Sequence, residues 1–411
     1  MLTASNGDVV DRDDAPIDTQ RIQAAIDGCP SGSGVELRRT AGRDAFVSAP
    51  LELRAGVTLV IAAGATLYAS RNPRDYDVEP VTCGRVDRDG HGCRPLIHVA
   101  GHDTAIMGDG AIDGRGGAML LGGNGSWWDL AQEAKRTGGS QSVPRLIVAD
   151  HADNFVLYRI TLRNSPNFHV LVSRTNGFTA WGVTIDAPRT ARNTDGIDPS
   201  SSTDVSILYS RIRCGDDNVA IKAPAGGSAS HITIAHDRFY SGHGMSIGSE
   251  TAGGVDAVDV RDLTIDGADN GLRIKSNATR GGLVHDIVYT DICIRDVTNP
   301  LVIDSFYDRV TTGSLVPRFE AVQFHDVHIA GGGVVTIAGT DTAHAARLIF
   351  DGVLFDGSTT LHASHAHIDR QGGGTNLPID GADVTLSGRS EARPLTNCAG
   401  RFVPFEQGVP R

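Results

Sequence analysis

The sequence has few aromatic residues, no long apolar run and no closely spaced pair of cysteines. Aromatic side chains make up only 5% of its 411 residues. No stretch of about 18 uninterrupted apolar residues occurs, which argues against a membrane-spanning helix. The six cysteines contain no Cys-x-x-Cys pair, so the spacing typical of zinc sites and thioredoxin-like redox motifs is absent. We therefore expect no membrane partner, no metal and no cofactor.

Positive charge is also scarce. Lys and Arg number 37 against 49 Asp and Glu, which gives a formal net charge of -12. Nucleic-acid-binding proteins usually carry an excess of basic residues, so we expect no nucleic-acid partner. No basic segment followed by an apolar stretch opens the chain, as a secretory signal would. The sequence thus fits either a cytosolic protein or a secreted protein whose signal peptide has been removed.

Glycine is abundant, at 50 residues, and it accompanies short β-rich runs of alternating polarity. Eight such runs start at positions 155, 178, 205, 232, 260, 287, 319 and 348, so that successive starts are 23 to 32 residues apart. A period of this length predicts a solenoid. Little 3.6-residue periodicity lies between the copies, which argues against a TIM barrel or a doubly wound sheet.

The repeat favours an all-β protein, a right-handed parallel β-helix that forms a single domain over residues 1–411. In this fold each turn contributes short strands that pair with the turns above and below. Strand-like runs at 57–62, 96–100 and 104–107 extend the solenoid toward the N-terminus. Residues 18–27 predict a short amphipathic helix, with Asp18 or Thr19 as N-cap, inside an N-terminal cap of about 15–30. The least regular stretches, 66–95 and 114–145, are predicted to form loops on a binding face.

Two of the cysteines, Cys83 and Cys93, bracket a polar loop that contains glycine. Such a loop is typical of a disulfide formed in an oxidising compartment. We predict this bridge, with two free thiols as the alternative. Closing so short a loop would stabilise the fold by roughly 2 to 3 kcal/mol.

Four polar clusters follow the solenoid period, one per turn. They are Asn193-Thr194-Asp195, Gly215-Asp216-Asp217, Gly242-His243-Gly244 and Arg273-Ile274-Lys275. Residues one period apart stack about 4.8 Å apart in a parallel β-helix, so the clusters should line one patch roughly 15 Å long. Each cluster alone is typical of ordinary turn chemistry or of a solvated strand edge. Together they place like charges in phase, which is costly for packing and indicates a functional site.

At these residues the sequence resembles the polygalacturonase family of glycoside hydrolases, in which the same four motifs occur in the same order. Longer strings, at 164–169, 190–199 and 242–250, are similar to the endo-acting enzymes of bacterial plant pathogens. The resemblance covers the chain from about residue 20. One departure is that many members carry Cys after the paired aspartates, where this chain has Asn218, with Cys214 before them. The departure bears on disulfide pairing more than on the mechanism.

The resemblance implies endo-acting hydrolysis of the α-1,4 bonds of polygalacturonate, the backbone of pectin, with inversion at the anomeric carbon. In such a mechanism one carboxylic acid protonates the leaving oxygen while carboxylates activate a water on the opposite face of the sugar. Carried over, Asp216 is the general acid, and Asp195 and Asp217 hold the water. His243 would tune or share the proton of the acid. Crowding of like charges should raise at least one of the three carboxyl pKa values.

The resemblance also implies a set of substrate-binding residues. Arg273 and Lys275 would bind a galacturonate carboxylate, the arginine through a bidentate fork and the lysine as a point charge. A few cations focused in a cleft can attract a polyanion to an acidic protein. Tyr307 matches a family tyrosine near the scissile bond. The remaining candidates are Asn193, Gly244, and, at outer subsites, His169 and Arg192.

Four alternatives stay open at this stage. Within the family these are an exo-acting polygalacturonase and a rhamnogalacturonan hydrolase. Outside it, a pectate or pectin lyase shares the β-helix, and the acidic cluster offers the oxygen ligands that calcium prefers. A non-catalytic polysaccharide-binding β-helix is the fourth. The complete Gly-His-Gly and Arg-x-Lys elements favour a hydrolase of unsubstituted galacturonan, which we expect to be a secreted monomer with the polysaccharide as its partner.

Overall fold

The computed structural model describes residues 1–7, 15, 17–388 and 398–407. Within these residues the α-helices are α1 (Thr19–Asp27) and α2 (Trp127–Thr137), and short 3-10 turns occupy Pro73–Tyr76, Tyr307–Arg309 and Phe405–Gln407. The chain divides into two compact units. Unit 1 comprises Met1–Asp198 and Ile212–Asp216, and unit 2 comprises Pro199–Arg211 and Asp217–Arg411.

Short β-strands follow one another along the whole described chain. Up to residue 200 they are β1 (Leu2–Thr3), β2 (Ser33–Arg38), β3 (Ala45–Ser48), β4 (Leu51–Leu53), β5 (Val57–Ile61), β6 (Thr66–Ala69), β7 (Arg85–Asp87), β8 (Ile97–Val99), β9 (Ala105–Met107), β10 (Ala111–Asp113), β11 (Ser140–Ser142), β12 (Ile147–Asp150), β13 (Phe155–Tyr158), β14 (Thr161–Arg163), β15 (Val170–Ser173), β16 (Asn176–Trp181), β17 (Thr184–Asp186) and β18 (Ile197–Ser200). After it they are β19 (Thr203–Leu208), β20 (Arg211–Arg213), β21 (Val219–Ile221), β22 (Ala229–Ala235), β23 (Arg238–Phe239), β24 (Met245–Ile247), β25 (Val255–Asp266), β26 (Asn270–Lys275), β27 (Leu283–Arg295), β28 (Asn299–Asp304), β29 (Arg318–Ala330), β30 (Gly333–Ala338), β31 (Ala346–Phe355), β32 (Thr359–Arg370) and β33 (Ala382–Gly388).

Unit 1 is built from three columns of parallel strands. In the first column β2, β5, β9, β13 and β16 pair in succession. The second column is β3, β6, β10, β14 and β17, and the third is β4, β8, β12 and β15. Each turn of the chain thus contributes one short strand to every column, which is the arrangement of a parallel β-helix. The predicted fold class is confirmed.

Unit 2 repeats this arrangement with longer strands. One column runs through β19, β22, β25, β27, β29 and β31, and another through β21, β24, β26, β28, β30 and β32. β25, β27 and β29 continue through a bend at Asp262, Asp291 and Asp326, whose φ values are 46°, 58° and 52°. Aspartate tolerates this left-handed conformation better than most residues. All eight runs identified in the sequence lie on strands.

Side-chain alternation separates the core from the outer surface. Ile247, Ile274 and Ile303 stand in register on β24, β26 and β28 and are fully buried. The intervening positions face outward, so Ser246 and Arg273, which are in register on β24 and β26, project from the same side of the sheet. The column that contains β24 and β26 therefore presents polar groups on its outer face.

The predicted N-terminal helix is confirmed as α1, with Asp18 as its N-cap. The Asp18 side chain does not cap the helix. Its Oδ1 accepts a hydrogen bond from Arg21 Nε (2.7 Å) and its Oδ2 accepts one from Val47 N (2.9 Å). The apolar face of α1 is buried through Ile22 and Ile26, so the helix is anchored on unit 1 by packing and by this carboxylate.

The stretches 66–95 and 114–145 hold more regular structure than predicted. The second contains α2, which begins with a capping box: Ser126 Oγ accepts from Asp129 N (3.2 Å), and Asp129 Oδ2 accepts from Ser126 N (2.8 Å). β7 and β11 form an antiparallel pair that joins the two stretches. The prediction of loops was wrong for α2 and for the β7–β11 pair, which are regular structure. The binding face stays a prediction.

The predicted disulfide between Cys83 and Cys93 is confirmed, and a second, Cys293–Cys398, was not predicted. Cys29 and Cys214 are not disulfide-bonded. Beyond the second bridge, Arg401 donates to the carboxylates of Asp262 and Asp291, so residues 398–407 lie against β25 and β27. Among the described residues no helix combines the length and apolar character needed to cross a membrane. The single domain over 1–411 stays a prediction.

Candidate active site

In unit 1 the turn between β17 and β18 carries Asn193, Thr194 and Asp195. Asn193 adopts a positive φ of 58°, a conformation that asparagine tolerates. Thr194 Oγ1 donates to Ala191 O (2.6 Å) and accepts from Gly215 N (2.9 Å). These bonds close the turn and tie it to the glycine that precedes Asp216, which explains why a buried threonine lies between the two polar motif residues.

Asn193 also connects Asp216 to the inserted β7–β11 pair. Its Nδ2 donates to Asp216 Oδ2 across 3.5 Å, and its Oδ1 accepts from Gln141 Nε2 (2.8 Å). Arg192 donates from NH1 to Ala131 O on α2 (3.1 Å) and to Gln141 Oε1 (3.4 Å). The β7–β11 pair and α2 therefore hold both predicted binding residues in place. Asp216 itself is half-buried. Substrate contacts of Asn193 and Arg192 stay predictions.

His169 lies against the backbone of Asp195 and is fully buried. Its Nδ1 donates to Asp195 O (3.0 Å), its main-chain N donates to the same oxygen (2.8 Å), and Ser165 N donates to its Nε2 (3.4 Å). Burial lowers the pKa of His169 to about 4, so the imidazole is neutral with its proton on Nδ1. The side chain of His169 does not reach the solvent, so it supports the turn of Asp195 from inside. Its predicted substrate contact stays a prediction.

Arg145, a cation that no motif marks, also belongs to the surroundings of Asp195. Its guanidinium carbon lies 5.1 Å from the centre of the Phe168 ring. Burial lowers the pKa of Arg145, while the carboxylates of Asp198 and Asp195 act in the opposite direction. Unit 1 therefore places the positive charge of Arg145 near Asp195, whose main-chain oxygen is bound by His169.

In unit 2 Asp217 is buried, with 1% of its surface exposed, and its carboxylate is surrounded by donors. Oδ2 accepts from Lys275 Nζ (2.8 Å). Oδ1 accepts from the Arg273 guanidinium and from Ser246 Oγ (2.9 Å). Arg273 and Lys275 project from the same side of β26 and are themselves 8% and 6% exposed. The two cations predicted to bind substrate thus form a buried ion cluster with a predicted catalytic aspartate.

Two opposing effects, burial and neighbouring positive charges, act on the pKa of Asp217. Burial raises its pKa, whereas Arg273, Lys275, His243 and Lys222 lower it, and the result lies well below the usual range for an aspartate. The neighbouring positive charges therefore favour the ionised form of Asp217. An ionised carboxylate accepts a proton rather than donating one. The predicted role of Asp217 on the base side of the reaction stays a prediction.

His243 lies between two carboxylates of unit 2. Its Nδ1 is 4.0 Å from Asp217 Oδ1, and its Nε2 is 3.5 Å from Asp269 Oδ2. The Asp269 side chain is 42% exposed, while that of His243 is 31% exposed. The imidazole thus lies between the buried ion cluster and a surface carboxylate. Its predicted role, tuning or sharing the proton of Asp216, stays a prediction.

The loop that carries His243 is held from within by Asn218. The side chain of Asn218 accepts at Oδ1 from Gly244 N (2.9 Å) and donates from Nδ2 to Ser241 O (3.2 Å). Gly244 has a φ of +75°, and a Cβ there would lie 2.2 Å from Asn270 O. Glycine is needed at this position by the close approach of the next turn. A substrate contact of Gly244 stays a prediction.

Tyr307 follows β28 and meets the ion cluster through Lys275. Lys275 Nζ lies 5.0 Å from the centre of the Tyr307 ring, a cation–π distance. The main chain of Tyr307 is fixed by a bond to Ser276 O (3.0 Å) and by one from Asn277 Nδ2 (3.1 Å). The half-buried ring therefore has a defined place next to a cation. Its predicted sugar contact stays a prediction.

The chain is similar to curated enzymes over most of its length. It is 42% identical to an endo-polygalacturonase of Pectobacterium parmentieri, over 87% of this chain and 89% of the relative. It is 39% identical to a polygalacturonase of Ralstonia nicotianae, over 96% of this chain and 86% of that protein. The solved polygalacturonase of Erwinia carotovora ssp. carotovora superposes with a TM-score of 0.81 at 39% identity, covering 93% of this chain and 96% of that one.

The family model described as glycosyl hydrolases family 28 matches residues 88–372, a span that contains all four polar motifs. The resemblance stated from the motifs is thereby confirmed over more than half of the sequence. The chain belongs to family 28 of the glycosyl hydrolases.

Proposed function

We propose that the chain is an endo-acting polygalacturonase that hydrolyses the α-1,4 bonds of polygalacturonate. The observation that carries this proposal is the buried cluster in which Arg273 and Lys275 hold Asp217 ionised. Similarity to the endo-polygalacturonase of Pectobacterium parmentieri, at 42% identity, supports both the substrate and the endo mode.

The catalytic roles divide between the two sides of the scissile bond. Asp216, which is half-buried and bonded to the Asn193 amide, acts as the general acid. Asp217 and Asp195 orient and deprotonate the attacking water, and the reaction inverts the anomeric carbon. His243 exchanges a proton with the acid. The ionised state of Asp217 supports this division, because the base must be charged while the acid is protonated.

The substrate carboxylate binds to the two cations of β26, Arg273 and Lys275. Without substrate their N–H groups bind Asp217. A galacturonate carboxylate competes with Asp217 for these N–H donors. Because Asp217 then loses part of its stabilisation, its pKa rises and it becomes a stronger base. A neutral sugar offers no such competition. Arg273 and Lys275 thereby select an acidic polysaccharide although the whole chain carries a net charge of -12.

Two further properties belong to the proposal. The protein works outside the cell as a monomer, and the two disulfides support the location because such bridges persist in oxidising compartments.

The proposal is tested by digesting polygalacturonate with and without a calcium chelator. Reducing ends, ultraviolet absorbance of unsaturated products and fragment size are followed together. New reducing ends without absorbance, unaffected by the chelator and distributed over mixed oligomers, are expected for an endo-acting hydrolase. Release of monomer alone would replace the endo mode by an exo mode. Absorbance that disappears with the chelator would overturn the proposal in favour of a lyase. In the same digestion Asp217→Asn should abolish the release of reducing ends, and Asp259→Asn, which removes an exposed carboxylate paired with Arg261, is its matched control.

A further inference from the structure

Ser246 lies in the ion cluster of Asp217, although it belongs to none of the four motifs as first identified. It is the middle residue of β24, fully buried, and in register with Ala220 on one side and Arg273 on the other. Its Oγ lies 2.9 Å from Asp217 Oδ1 and 3.0 Å from Arg273 Nε. The hydroxyl therefore stands between a carboxylate and the cation that neutralises it.

The direction of both hydrogen bonds follows from the chemistry of the partners. A guanidinium nitrogen carries only donors, so the Arg273 Nε–H must donate to Ser246 Oγ. The hydroxyl then has its own proton available for an acceptor, and the ionised Asp217 carboxylate accepts it. Together with the direct contact between Arg273 and Asp217, these bonds form a closed triangle. In this triangle Ser246 and Arg273 together fix the rotation of the Asp217 carboxylate.

Lys275 completes the orientation of the carboxylate from the opposite oxygen. Its Nζ donates to Asp217 Oδ2 at 2.8 Å, while Ser246 and Arg273 both bind Oδ1. If the cations turn to a substrate carboxylate, as the proposed function requires, their hold on Asp217 weakens. The Ser246 hydroxyl is neutral and is not drawn to the substrate by charge, so its bond to Oδ1 persists.

We propose that Ser246 is a positioning residue that keeps the Asp217 carboxylate aimed while Arg273 and Lys275 bind the substrate. This inference rests on the proposed function, because it assigns to Ser246 the orientation of the base of that reaction. Ser246 does not touch the sugar, since its side chain is fully buried. Its loss is therefore expected to lower kcat and to leave KM unchanged.

The test compares four substitutions by their kcat and KM on an oligogalacturonate of defined length. Ser246→Ala removes the hydroxyl, and Ser246→Thr and Ser246→Val form a pair of equal shape in which only threonine keeps it. Ser48→Ala is the control, because Ser48 is equally buried but bonds to Ala49 O (2.7 Å) and Thr19 Oγ1 (3.2 Å) in unit 1. Circular dichroism and melting curves establish that each variant is folded.

We expect kcat to fall by about ten- to a hundred-fold for Ser246→Ala and Ser246→Val, the range for losing a hydrogen bond to a charged group. Ser246→Thr should retain most of the rate, and KM should stay within about two-fold throughout. An unchanged kcat for Ser246→Ala would overturn the inference. If that variant does not fold, the threonine and valine variants decide, and equal losses in both would overturn it as well. An inactive original chain would instead refute the proposed function, and this inference with it.

Discussion

Replacing Asp217 by asparagine should destabilise the protein as well as inactivate it. The change keeps the size of the side chain but leaves Arg273 and Lys275 buried around a neutral amide. Removing one partner of a buried, hydrogen-bonded ion pair costs about 3 to 5 kcal/mol. For a cooperative unit of roughly 200 residues each kcal/mol corresponds to about 2 to 4 °C, so the melting temperature should fall by at least about 6 °C.

The loss of stability has a defined dependence on pH. The folded-state pKa of Asp217 lies below its unfolded value, so the stabilisation is complete above the unfolded value of about 3.9 and is lost as the pH falls below it. The difference in unfolding free energy between the original chain and Asp217→Asn should therefore be constant above about pH 5 and shrink below about pH 4. Most other groups titrate alike in both proteins and largely cancel in this difference.

Melting curves by circular dichroism between pH 3 and pH 7 provide the assay. The control is Asp259→Asn, because Asp259 pairs with Arg261 at the surface, where the side chains are 41% and 46% exposed. An exposed pair is worth at most about 1 kcal/mol, so this variant should melt less than about 4 °C below the original. Equal melting temperatures for Asp217→Asn and Asp259→Asn, or a difference without pH dependence, would refute the reasoning.

Three further predictions concern buried groups away from the ion cluster. Burial raises the pKa of Asp237 well above its usual value, so its contribution to stability declines as the pH rises above about 3.9. Asp237→Asn should therefore stabilise the fold by an amount that grows from pH 4 to pH 7, and a pH-independent difference in unfolding free energy would contradict this. The Tyr289 hydroxyl is buried without a hydrogen-bond partner among the described residues. Tyr289→Phe should therefore change the unfolding free energy by no more than about 1 kcal/mol in either direction, and a larger loss in urea titrations would contradict this. The Cys293–Cys398 bridge spans 105 residues and the Cys83–Cys93 bridge spans 10. Removing the first should cost about 4 to 5 kcal/mol and lower the melting temperature more than removing the second. A larger drop for Cys83–Cys93 would contradict the chain-entropy account.

The fold could be predicted because its signal is local and repeated. Phe155 and Phe178 begin two runs that are 23 residues apart in the sequence, and in the structure they are paired in register with their rings 5.6 Å apart. The helix α2 escaped prediction for a physical reason. Its buried face consists of Trp127 and two alanines, so the apolar pattern is weak, although Ser126 and Asp129 form a capping box that could have signalled its start.

The members of the candidate site could be predicted, but not the contacts between them. The spacing of the motifs predicts that Asp217 and Lys275, 58 residues apart in the sequence, belong to one site. It does not predict whether the Lys275 ammonium points to the aspartate or to the solvent. That depends on side-chain rotation in a buried place. The full burial of His169 could not be predicted either, because a polar residue in a motif gives no sign of being buried. Ser246 did have a signal, since Met245 and Ile247 flank it and strand alternation turns it outward.

The configuration of the first product tests the central claim most directly. Proton NMR of an oligogalacturonate digest, recorded within the first turnovers, distinguishes the two anomers of the new reducing end before they equilibrate. Hydrolysis of an α bond with Asp216 as acid and Asp195 and Asp217 holding the water predicts the β anomer, followed by its slow conversion to the equilibrium mixture. A product that appears first as the α anomer, or that carries the signals of an unsaturated ring, would contradict the account.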